Sequence, residues 1–315
     1  MSEVTLQAEQ SQLAARAETP RRAVLRRLMR QIPAMISLIA LIAIAALCFA
    51  APWFEARLGI TVDTQDLFNR LAPPSTTHWL GTDSLGRDVF LRLLYGGQVS
   101  LIVGVATAAV AAVIGTFVGL LAGFYRGWID SLLMRLTDMV IALPLLPLLI
   151  VLAAVDLTKL GLSADAAYSE TAALYRIVII IALVGWTTVA RLVRASTLSV
   201  RTRPYVTAAT ALGVRDGAIL WRHILPNVTS PVIIATTLSI GNVILLESVL
   251  SFLGLGIQPP VPSWGNMLTN AQSLIWTAPW LAIYPGLAIF VTVIAFNLLG
   301  DGLQQALNPK STKRR

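Results

Sequence analysis

Six long apolar stretches constrain the fold of this chain more than any other feature. They lie at residues 34–53, 99–124, 131–155, 175–190, 230–253 and 281–299. A helix needs about 20 predominantly apolar residues to cross the hydrocarbon core of a bilayer. Over the whole chain 56% of residues are hydrophobic and 13% are charged, whereas a soluble domain carries about 25% charged residues. The sequence therefore predicts an all-α, polytopic membrane protein with six transmembrane helices.

The first apolar stretch, at residues 34–53, follows a polar N-terminal tail at residues 1–33. A cleaved secretory signal is the alternative, because the small residues Ala50 and Ala51 stand near its end. However, the stretch is longer than the usual signal core of about 7–15 residues, and the preceding tail is long. An uncleaved first span is predicted, followed by an external polar segment at residues 54–98.

The distribution of positive charge predicts the orientation. Of the 24 Lys and Arg residues, eighteen fall on one side of a six-span chain and six on the other. The eighteen lie in residues 1–33, 125–135, 191–222 and 301–315. Because an excess of Lys and Arg marks cytoplasmic segments, both termini are predicted to be cytoplasmic. The formal net charge of +8 then indicates anionic lipid at the inner leaflet, not nucleic acid, as the partner.

A polar, positively charged segment at residues 205–227 separates the fourth and fifth stretches. Pro204 suits the first position of a helix, and Gly213 fits its end. Asp216 is predicted to cap a second short helix, and Pro226 is predicted to end it. The segment therefore predicts two short helices at an angle, outside the bilayer, in a shape that suits docking on a partner.

The sequence Thr207-Ala208-Ala209, followed by Gly213 and then Leu225-Pro226, resembles the cytoplasmic coupling loop (EAA loop) of ABC importer permeases. In that family the loop inserts into a groove on an ATP-hydrolysing subunit. Thr207 stands where the family has an acidic residue, and His223 where isoleucine is common, so a charge-pair role at position 207 does not carry over. The resemblance implies an ATPase-coupling role for Tyr205, Thr207, Ala208, Ala209, Gly213, Asp216, Leu225 and Pro226.

A second motif precedes the second apolar stretch. It consists of Gly81, Thr82 and Asp83, then Gly86, Arg87 and Asp88. This pattern resembles the GTD-x-x-GRD signature of the dipeptide, oligopeptide and nickel branch of these permeases. The two glycines permit tight turns, and the three charged residues are predicted to tie one another down at the membrane surface. A direct ligand role for the charges is the alternative.

An acidic residue, Glu247, lies inside the fifth stretch, and residues 247–268 and 300–310 also resemble the same branch. A charge at the centre of a membrane helix costs about 2.5–3.5 kcal/mol on insertion scales. Glu247 is therefore predicted to hydrogen-bond within the bundle or at the interface with a sister subunit. The alternative places Glu247 and Ser251 on the pore. Trp264, Trp276 and Trp280 are predicted to join the aromatic belt at the membrane surface.

Small residues and prolines mark the second and third stretches. A glycine recurs every fourth residue on one helix face, which predicts close packing inside the bundle; these glycines are Gly115, Gly119, Gly123 and Gly127. In the third stretch Pro144 and Pro147 predict a kink. Asp138 is predicted to pair with Arg135, one turn away.

Together the motifs imply a type I ABC importer permease, with a core at residues 99–300, a coupling loop at 204–227 and a cytoplasmic tail at 301–315. The chain has no G-x-x-x-x-G-K-[ST] loop, so it is predicted to be non-catalytic and to bind no cofactor. The resemblance implies a second homologous permease, two ATP-binding subunits carrying ATP and Mg²⁺, and an extracytoplasmic solute-binding protein. The predicted location is a bacterial or archaeal inner membrane.

Two other functions remain as alternatives to peptide import. The first is a nickel or other small-solute importer of the same family, because the resemblance places specificity largely in the binding protein. The second is an independent channel or secondary transporter. That class is expected to show paired intramembrane charges and internal repeats, whereas Glu247 is the only candidate near a membrane midplane and no repeat between the halves is evident.

Overall fold

The computed structural model describes residues 20–161, 163, 165, 169–269 and 271–307. Within them five helices are long and apolar enough to cross a membrane, and a bent helix pair makes a sixth if it crosses as one unit. In chain order we call them span 1 (Ile32–Phe49), span 2 (Val89–Tyr125), span 3 (Gly127–Ala142 with Leu145–Ala153), span 4 (Glu170–Arg201), span 5 (Asp216–Phe252) and span 6 (Trp280–Leu307). The prediction of an all-α, polytopic membrane protein is confirmed.

Span 1 is shorter than the predicted stretch at residues 34–53. It ends at Phe49, and a second helix, Ala51–Leu58, follows directly. Pro52 lies in the first turn of that helix, where the missing N–H of proline leaves no hydrogen bond unmade. The proline therefore starts a new helix instead of extending span 1.

Span 2 begins ten residues before its predicted start at residue 99. Asp88 is the N-cap, and its Oδ1 accepts a hydrogen bond from the amide of Leu91 at 2.8 Å. The helix has 37 residues, or about 55 Å at ~1.5 Å per residue, so it exceeds a hydrocarbon core of about 30 Å. Residues 54–98, predicted as an external polar segment, thus include the end of the helix Ala51–Leu58 and the start of span 2.

Span 2 and span 4 approach each other closely along the glycine face. A Cβ added to Gly119 would lie 2.5 Å from the carbonyl oxygen of Ala190, and Gly115 and Gly123 face span 4 in the same way. Packing inside the bundle is thereby confirmed for these three residues. Gly127 does not belong to this face, because span 2 ends before it and no atom lies within 4 Å of its would-be Cβ.

Span 3 is broken, not merely kinked. Its two helices meet at an angle of 87°, and the break falls at Leu143 and Pro144. Proline lacks the N–H that would continue the first helix and disfavours helical geometry in the residue before it. Pro147 causes no second break, because it stands in the first turn of Leu145–Ala153.

Ion pairs tie span 3 to span 4. Asp138 pairs with Arg191 at 2.5 Å, and Asp130 accepts two bonds from Arg194 at 2.5 and 2.6 Å. The predicted pairing of Asp138 with Arg135 was therefore wrong. Asp138 pairs with Arg191 of the other helix because span 4 presents Arg191 and Arg194, one turn apart, towards span 3.

Spans 4, 5 and 6 all extend beyond their apolar stretches. Span 4 runs through Arg201 instead of ending near residue 190, and span 6 runs through Leu307 instead of ending near residue 299. A change from apolar to polar residues does not by itself end a helix, because capping residues and helix-breaking residues set the helix ends. Parts of both predicted cytoplasmic tails, residues 1–19 and 308–315, lie outside the described residues.

The two ends of the described chain pack together. The helix Pro20–Met29 precedes span 1 and contacts the end of span 6, where Leu28, Ala34 and Ala306 form one buried cluster. This contact places the start of span 1 and the end of span 6 at the same end of the bundle.

Trp264 lies in the interior of the bundle. It is 1% exposed, and its indole Nε1 donates to the carbonyl oxygen of Leu93 at 2.9 Å. The belt prediction was therefore wrong for Trp264. Trp276, by contrast, is 93% exposed.

Candidate functional site

The glycine turn (residues 81–88) needs glycine at two positions. Gly81 and Gly86 have φ values of +79° and +75°, a region that side-chain-bearing residues rarely adopt. A Cβ on Gly86 would lie 1.8 Å from the carbonyl oxygen of Asp66, and one on Gly81 would lie 2.5 Å from that of Ala72. The prediction of tight turns at these glycines is confirmed.

Asp83 organises the glycine turn from inside. Its Oδ1 accepts from the amides of Leu85 at 2.8 Å and Arg87 at 3.0 Å, and its Oδ2 accepts from Arg87 Nε at 2.8 Å. Asp88 does not join this pair, contrary to the expected three-way tie. It caps span 2 and bonds Nδ1 of His78 at 2.8 Å, so the two carboxylates serve separate parts of the turn.

Residues 66–72 back the glycine turn. The buried hydroxyl of Thr82 donates to the carbonyl oxygen of Asn69 and accepts from the amide of Ala72 at 2.8 Å. The side-chain amide of Asn69 and the backbone amide of Phe68 donate to Asp66 and hold the pKa of that carboxyl below its usual value. The turn is thus fixed by hydrogen bonds on its backbone and on its side chains.

A cavity of about 260 Å³ opens beside the glycine turn. Three charged residues line it: Asp83, Arg87 and Arg92. Arg92 stands in the first turn of span 2 and is 4% exposed. Sequence analysis missed Arg92 as a site residue, although a lone cation at the start of an apolar helix was a visible signal.

Glu247 is fully buried inside this chain. Its Oε1 accepts from Ser251 Oγ at 2.7 Å, and its Oε2 accepts from Ser100 Oγ at 3.1 Å. The predicted hydrogen bonding within the bundle is confirmed. Ser251 also accepts from the amide of Ile257 at 3.0 Å and lines the 260 Å³ cavity. The pore alternative gains no support from the burial of either side chain.

The loop after span 5 is fixed against the same serines, which sequence analysis missed. Ser263 caps the short helix Trp264–Met267 in a reciprocal capping box with Asn266. The amide of Trp264 donates to Ser100 Oγ at 3.2 Å. The spacing of Ser263 and Asn266 was a readable capping signal, whereas the contact with Ser100 joins positions 164 residues apart and had no local signal.

The two-helix segment (residues 204–224) has the predicted first helix, Pro204–Ala211, and Gly213 with φ +75° after it. The second helix differs from the prediction. It begins at Asp216 but continues through a π-helical turn at Leu220–Ile224 into Leu225–Phe252. Asp216 is not the N-cap of this helix, because Arg215 holds that position. Pro226 does not end the helix, because it lies in the first turn of Leu225–Phe252.

The inner face of the two-helix segment is packed and its outer face is exposed. Val206 and Ile219 are buried in a cluster with Phe124 of span 2 and Val193 of span 4. Of the predicted coupling residues, Ala209 is buried and Leu225 is half-buried; the exposed ones are Tyr205, Thr207, Ala208, Gly213, Asp216 and Pro226. Sequence analysis missed the two most exposed large apolar side chains of this segment, Leu212 at 83% and Trp221 at 72%.

Thr207 has a local structural role in place of the family's acidic residue. Its hydroxyl is 3.1 Å from the carbonyl oxygens of both Arg203 and Pro204. It therefore stabilises the first turn of Pro204–Ala211. Tyr205 and His223, whose ring centroids are 6.3 Å apart, connect the two helices of the segment.

A wide groove of about 1050 Å³ runs along spans 3 to 6. Its walls are mostly apolar, with a few polar side chains that include Thr188, Asn242 and Gln304. It lies between the broken span 3 and the middle of span 5, and it is separate from the 260 Å³ cavity at the glycine turn.

Comparison with known proteins gives consistent matches along the chain. A family model described as a binding-protein-dependent transport system inner membrane component matches residues 115–313. A second model, the N-terminal TM domain of oligopeptide transport permease C, matches residues 19–74. These two matches fall on the permease core and on the N-terminal region with span 1.

Two curated relatives cover most of the chain. The glutathione transport system permease protein GsiD of Pectobacterium atrosepticum is 41% identical over 293 residues, which is 93% of this chain and 92% of the relative. The dipeptide transport system permease protein DppC of Alkalihalophilus pseudofirmus is 43% identical over 242 residues, covering 77% and 75%.

A solved structure shares the fold. A chain of the inward-facing MetNI methionine ABC transporter superposes with a TM-score of 0.55 at 16% identity, covering 69% of this chain and 96% of the other. At this identity the likeness shows the type I permease architecture alone.

Proposed function

Because this chain belongs to the family of binding-protein-dependent transport system inner membrane components, we propose that it is the permease subunit of an ATP-driven importer of small peptides. The family and the apolar spans make it an integral inner membrane protein. The relatives named for glutathione and dipeptide transport support the solute class, since both of those solutes are small peptides.

The exposed face of the two-helix segment is the structural observation that carries the coupling role. Leu212 and Trp221 are large apolar side chains that remain exposed on this segment, close to the charged residues Arg215, Asp216 and Arg222 in the sequence. Exposed apolar groups rimmed by polar residues mark protein interaction sites. We infer that this face docks on an ATP-binding subunit, which holds ATP and Mg²⁺ and performs the hydrolysis, while this chain remains non-catalytic.

The continuous helix Asp216–Phe252 would transmit the motion. Its first turns belong to the docked segment, and its far end carries Glu247 and Ser251. A displacement imposed by the ATPase at one end would therefore move the other end as a rigid body, which is a common way for packed helices to switch between states. Pro226 lies within this helix without breaking it, and the helix continues through the π-helical turn at Leu220–Ile224.

The complex we propose contains a second homologous permease, two ATP-binding subunits and an extracytoplasmic solute-binding protein. Both termini and the two-helix segment face the cytoplasm in this arrangement. Two observations support the orientation: the excess of Lys and Arg on that side, and the packing of Leu28 against the end of span 6, which puts both ends of the described part of the chain on one side.

Reconstitution tests the proposal. The four kinds of subunit would be assembled in liposomes with ATP inside and the solute-binding protein outside, and uptake of a labelled dipeptide and of glutathione would be measured. We expect accumulation that needs both ATP and the binding protein. Uptake of a nickel chelate alone would move the function to metal import, and uptake by this chain without ATP would indicate a channel or secondary transporter.

A further inference from the structure

The 260 Å³ cavity beside the glycine turn is built from three separate parts of the chain. Asp83 and Arg87 come from the turn, Arg92 comes from the first turn of span 2, and Gln258 and Asn266 come from the region after span 5. Asn266 is held by its capping box and by a bond from Nδ2 to the carbonyl oxygen of Val261 at 2.7 Å. The walls are therefore fixed independently of any ligand.

Arg92 supplies an unused hydrogen-bond donor in this wall. Its side chain is 95% buried, and among the residues that the structure describes its Nη1 has no hydrogen-bond partner. The ion-pair contact of Arg92 Nε with Asp83 Oδ2 is long, at 3.6 Å, because Asp83 is already occupied by Arg87 and by two amides of the turn. A buried donor without a partner is destabilising, and more so when it is charged, so an acceptor that reached the Arg92 guanidinium would be stabilising.

The charge of the wall favours an anion. Two guanidinium groups, Arg87 and Arg92, stand against one carboxylate, Asp83. Of the neighbouring acids, Asp88 bonds His78 and caps span 2, and Glu247 bonds its serines. Asp63 also attracts Arg92 electrostatically, but it does not line the cavity. A planar guanidinium matches the geometry of a carboxylate better than that of a spherical anion.

The size of the cavity limits the ligand to a small group. Sites for drug-sized molecules measure roughly 300–1,000 Å³, and about 260 Å³ falls just below this range. The cavity would admit a carboxylate with the few atoms attached to it, such as the end of a peptide or an acidic side chain. It would not enclose a whole oligopeptide.

We propose that this cavity is a carboxylate-binding site in which the guanidinium of Arg92 is the principal donor. The proposal rests on the proposed function only for the source of the carboxylate, which is either the C-terminus of the transported peptide or an acidic side chain of the docked solute-binding protein. In both cases the ligand would contact the residues that also hold the start of span 2 and the loop after span 5.

Trifluoroacetate is a suitable probe, because it carries a carboxylate and gives a ¹⁹F NMR signal. With the assembled complex in nanodiscs and no binding protein, we expect its line to broaden on binding. N-acetylglycine should reverse the broadening, and N-acetylglycinamide, which lacks the charge, should not. Arg92→Gln should reduce the affinity for the probe by at least about tenfold, or ~1.4 kcal/mol.

A matched pair at Ser84 keeps the test decisive if Arg92→Gln fails to fold. Ser84 lines the cavity and is only half-buried. Ser84→Glu would place a tethered carboxylate at the site and should abolish probe binding, while Ser84→Gln, of the same size, should preserve it. Equal binding by the Ser84→Glu, Ser84→Gln and unchanged proteins would overturn the proposal, as would an absence of broadening.

Two further measurements identify the source of the carboxylate. If Ser84→Glu weakens docking of the binding protein by tenfold and Ser84→Gln does not, the acidic side chain comes from that protein. If docking is unchanged and Ser84→Glu slows uptake of free-acid peptides but not of peptide amides, the ligand is the C-terminus. Probe binding by a complex that imports no peptide would refute the proposed function and leave the site standing; peptide import without probe binding would do the reverse.

Discussion

The glycine turn and the two-helix segment are both polar connections between spans, but they are stabilised in opposite ways. In the glycine turn a Cβ on Gly86 would overlap the backbone of Asp66, and Asp83 and Thr82 bind amides and carbonyls on several sides. In the two-helix segment no atom of the described residues lies within 4 Å of a Cβ added to Gly213, and Leu212 is 83% exposed.

This difference shows which region is complete within the chain and which needs a partner. The glycine turn satisfies its own polar groups, so it can serve as a fixed frame around the cavity. The two-helix segment buries only its inner face, on Phe124 and Val193, and leaves apolar side chains exposed on the other. Mutations at the buried anchors of the first region, such as Gly86, should therefore affect folding, and mutations in the second should affect coupling with the chain still folded.

The largest effect is expected for Gly86→Ala. The added methyl would overlap the carbonyl of Asp66, at 1.8 Å, in a backbone region that alanine already disfavours. We expect the chain to be lost from the membrane fraction, measured by immunoblot. Gly59→Ala is the matched control, because Gly59 has φ +69° but no neighbour within 4 Å; it should cost only about 1–2 kcal/mol. Equal loss of both variants would contradict the role given to the glycine turn.

Gly213→Asp should fold and insert normally but uncouple the complex. The site has open space, and Asp tolerates positive φ better than most residues. The expected loss of ATPase stimulation, by about tenfold or ~1.4 kcal/mol, would come from a charge buried against the ATPase. Gly213→Asn, with the same shape and no charge, should stay within about twofold of the unchanged protein. Normal stimulation and transport by Gly213→Asp would rule out this contact.

Trp221→Ala should give a smaller loss of coupling. Exposed tryptophans at interfaces often contribute more than about 1 kcal/mol to binding, so we expect a roughly five-fold weaker association with the ATP-binding subunit, measured by titration in nanodiscs. Phe68→Ala is the control, since Phe68 is fully exposed but next to the glycine turn. An equal effect of the two substitutions would remove the distinction between the regions.

The smallest effect is expected for Glu247→Gln. The amide oxygen of glutamine can still accept from Ser251, and the hydroxyl of Ser100 can rotate to accept from the amide nitrogen. Assembly should be intact and peptide uptake should fall less than tenfold. Glu247→Leu, which removes the acceptor to which both hydroxyls donate, should destabilise the chain more. Uptake abolished by Glu247→Gln in a fully assembled complex would instead favour the pore alternative.

The order of the spans was predictable, because apolar runs long enough to cross a membrane rarely have another role. Their number was predictable if the bent helix pair is counted as one span. Their ends were not, because a polar cap decides where a helix begins. Asp88 is the N-cap of a helix that begins ten residues before the apolar stretch at residue 99, and Pro226 fits a helix start as well as a helix end. Composition alone cannot choose between those two roles for a proline.

The motif residues of both regions were also predictable, but their partners were not. Asp138 reaches across to Arg191, and Glu247 to Ser100, so each pairing depends on how two helices pack. Arg92 illustrates the same limit. The sequence shows a cation at this position. Only the packed structure shows that Arg92 lines a cavity and that, among the described residues, its Nη1 has no hydrogen-bond partner.

Cysteine labelling tests the central claim, that the two regions lie on opposite sides of the membrane and that only the two-helix segment meets the ATPase. In a Cys48→Ala background, Phe68→Cys and Leu212→Cys would be treated with a membrane-impermeant maleimide in intact cells, then with a short bifunctional crosslinker in the purified complex. We predict external labelling of Phe68→Cys only, and crosslinking of Leu212→Cys to the ATP-binding subunit. External labelling of Leu212→Cys, or crosslinking from Phe68→Cys instead, would contradict the account.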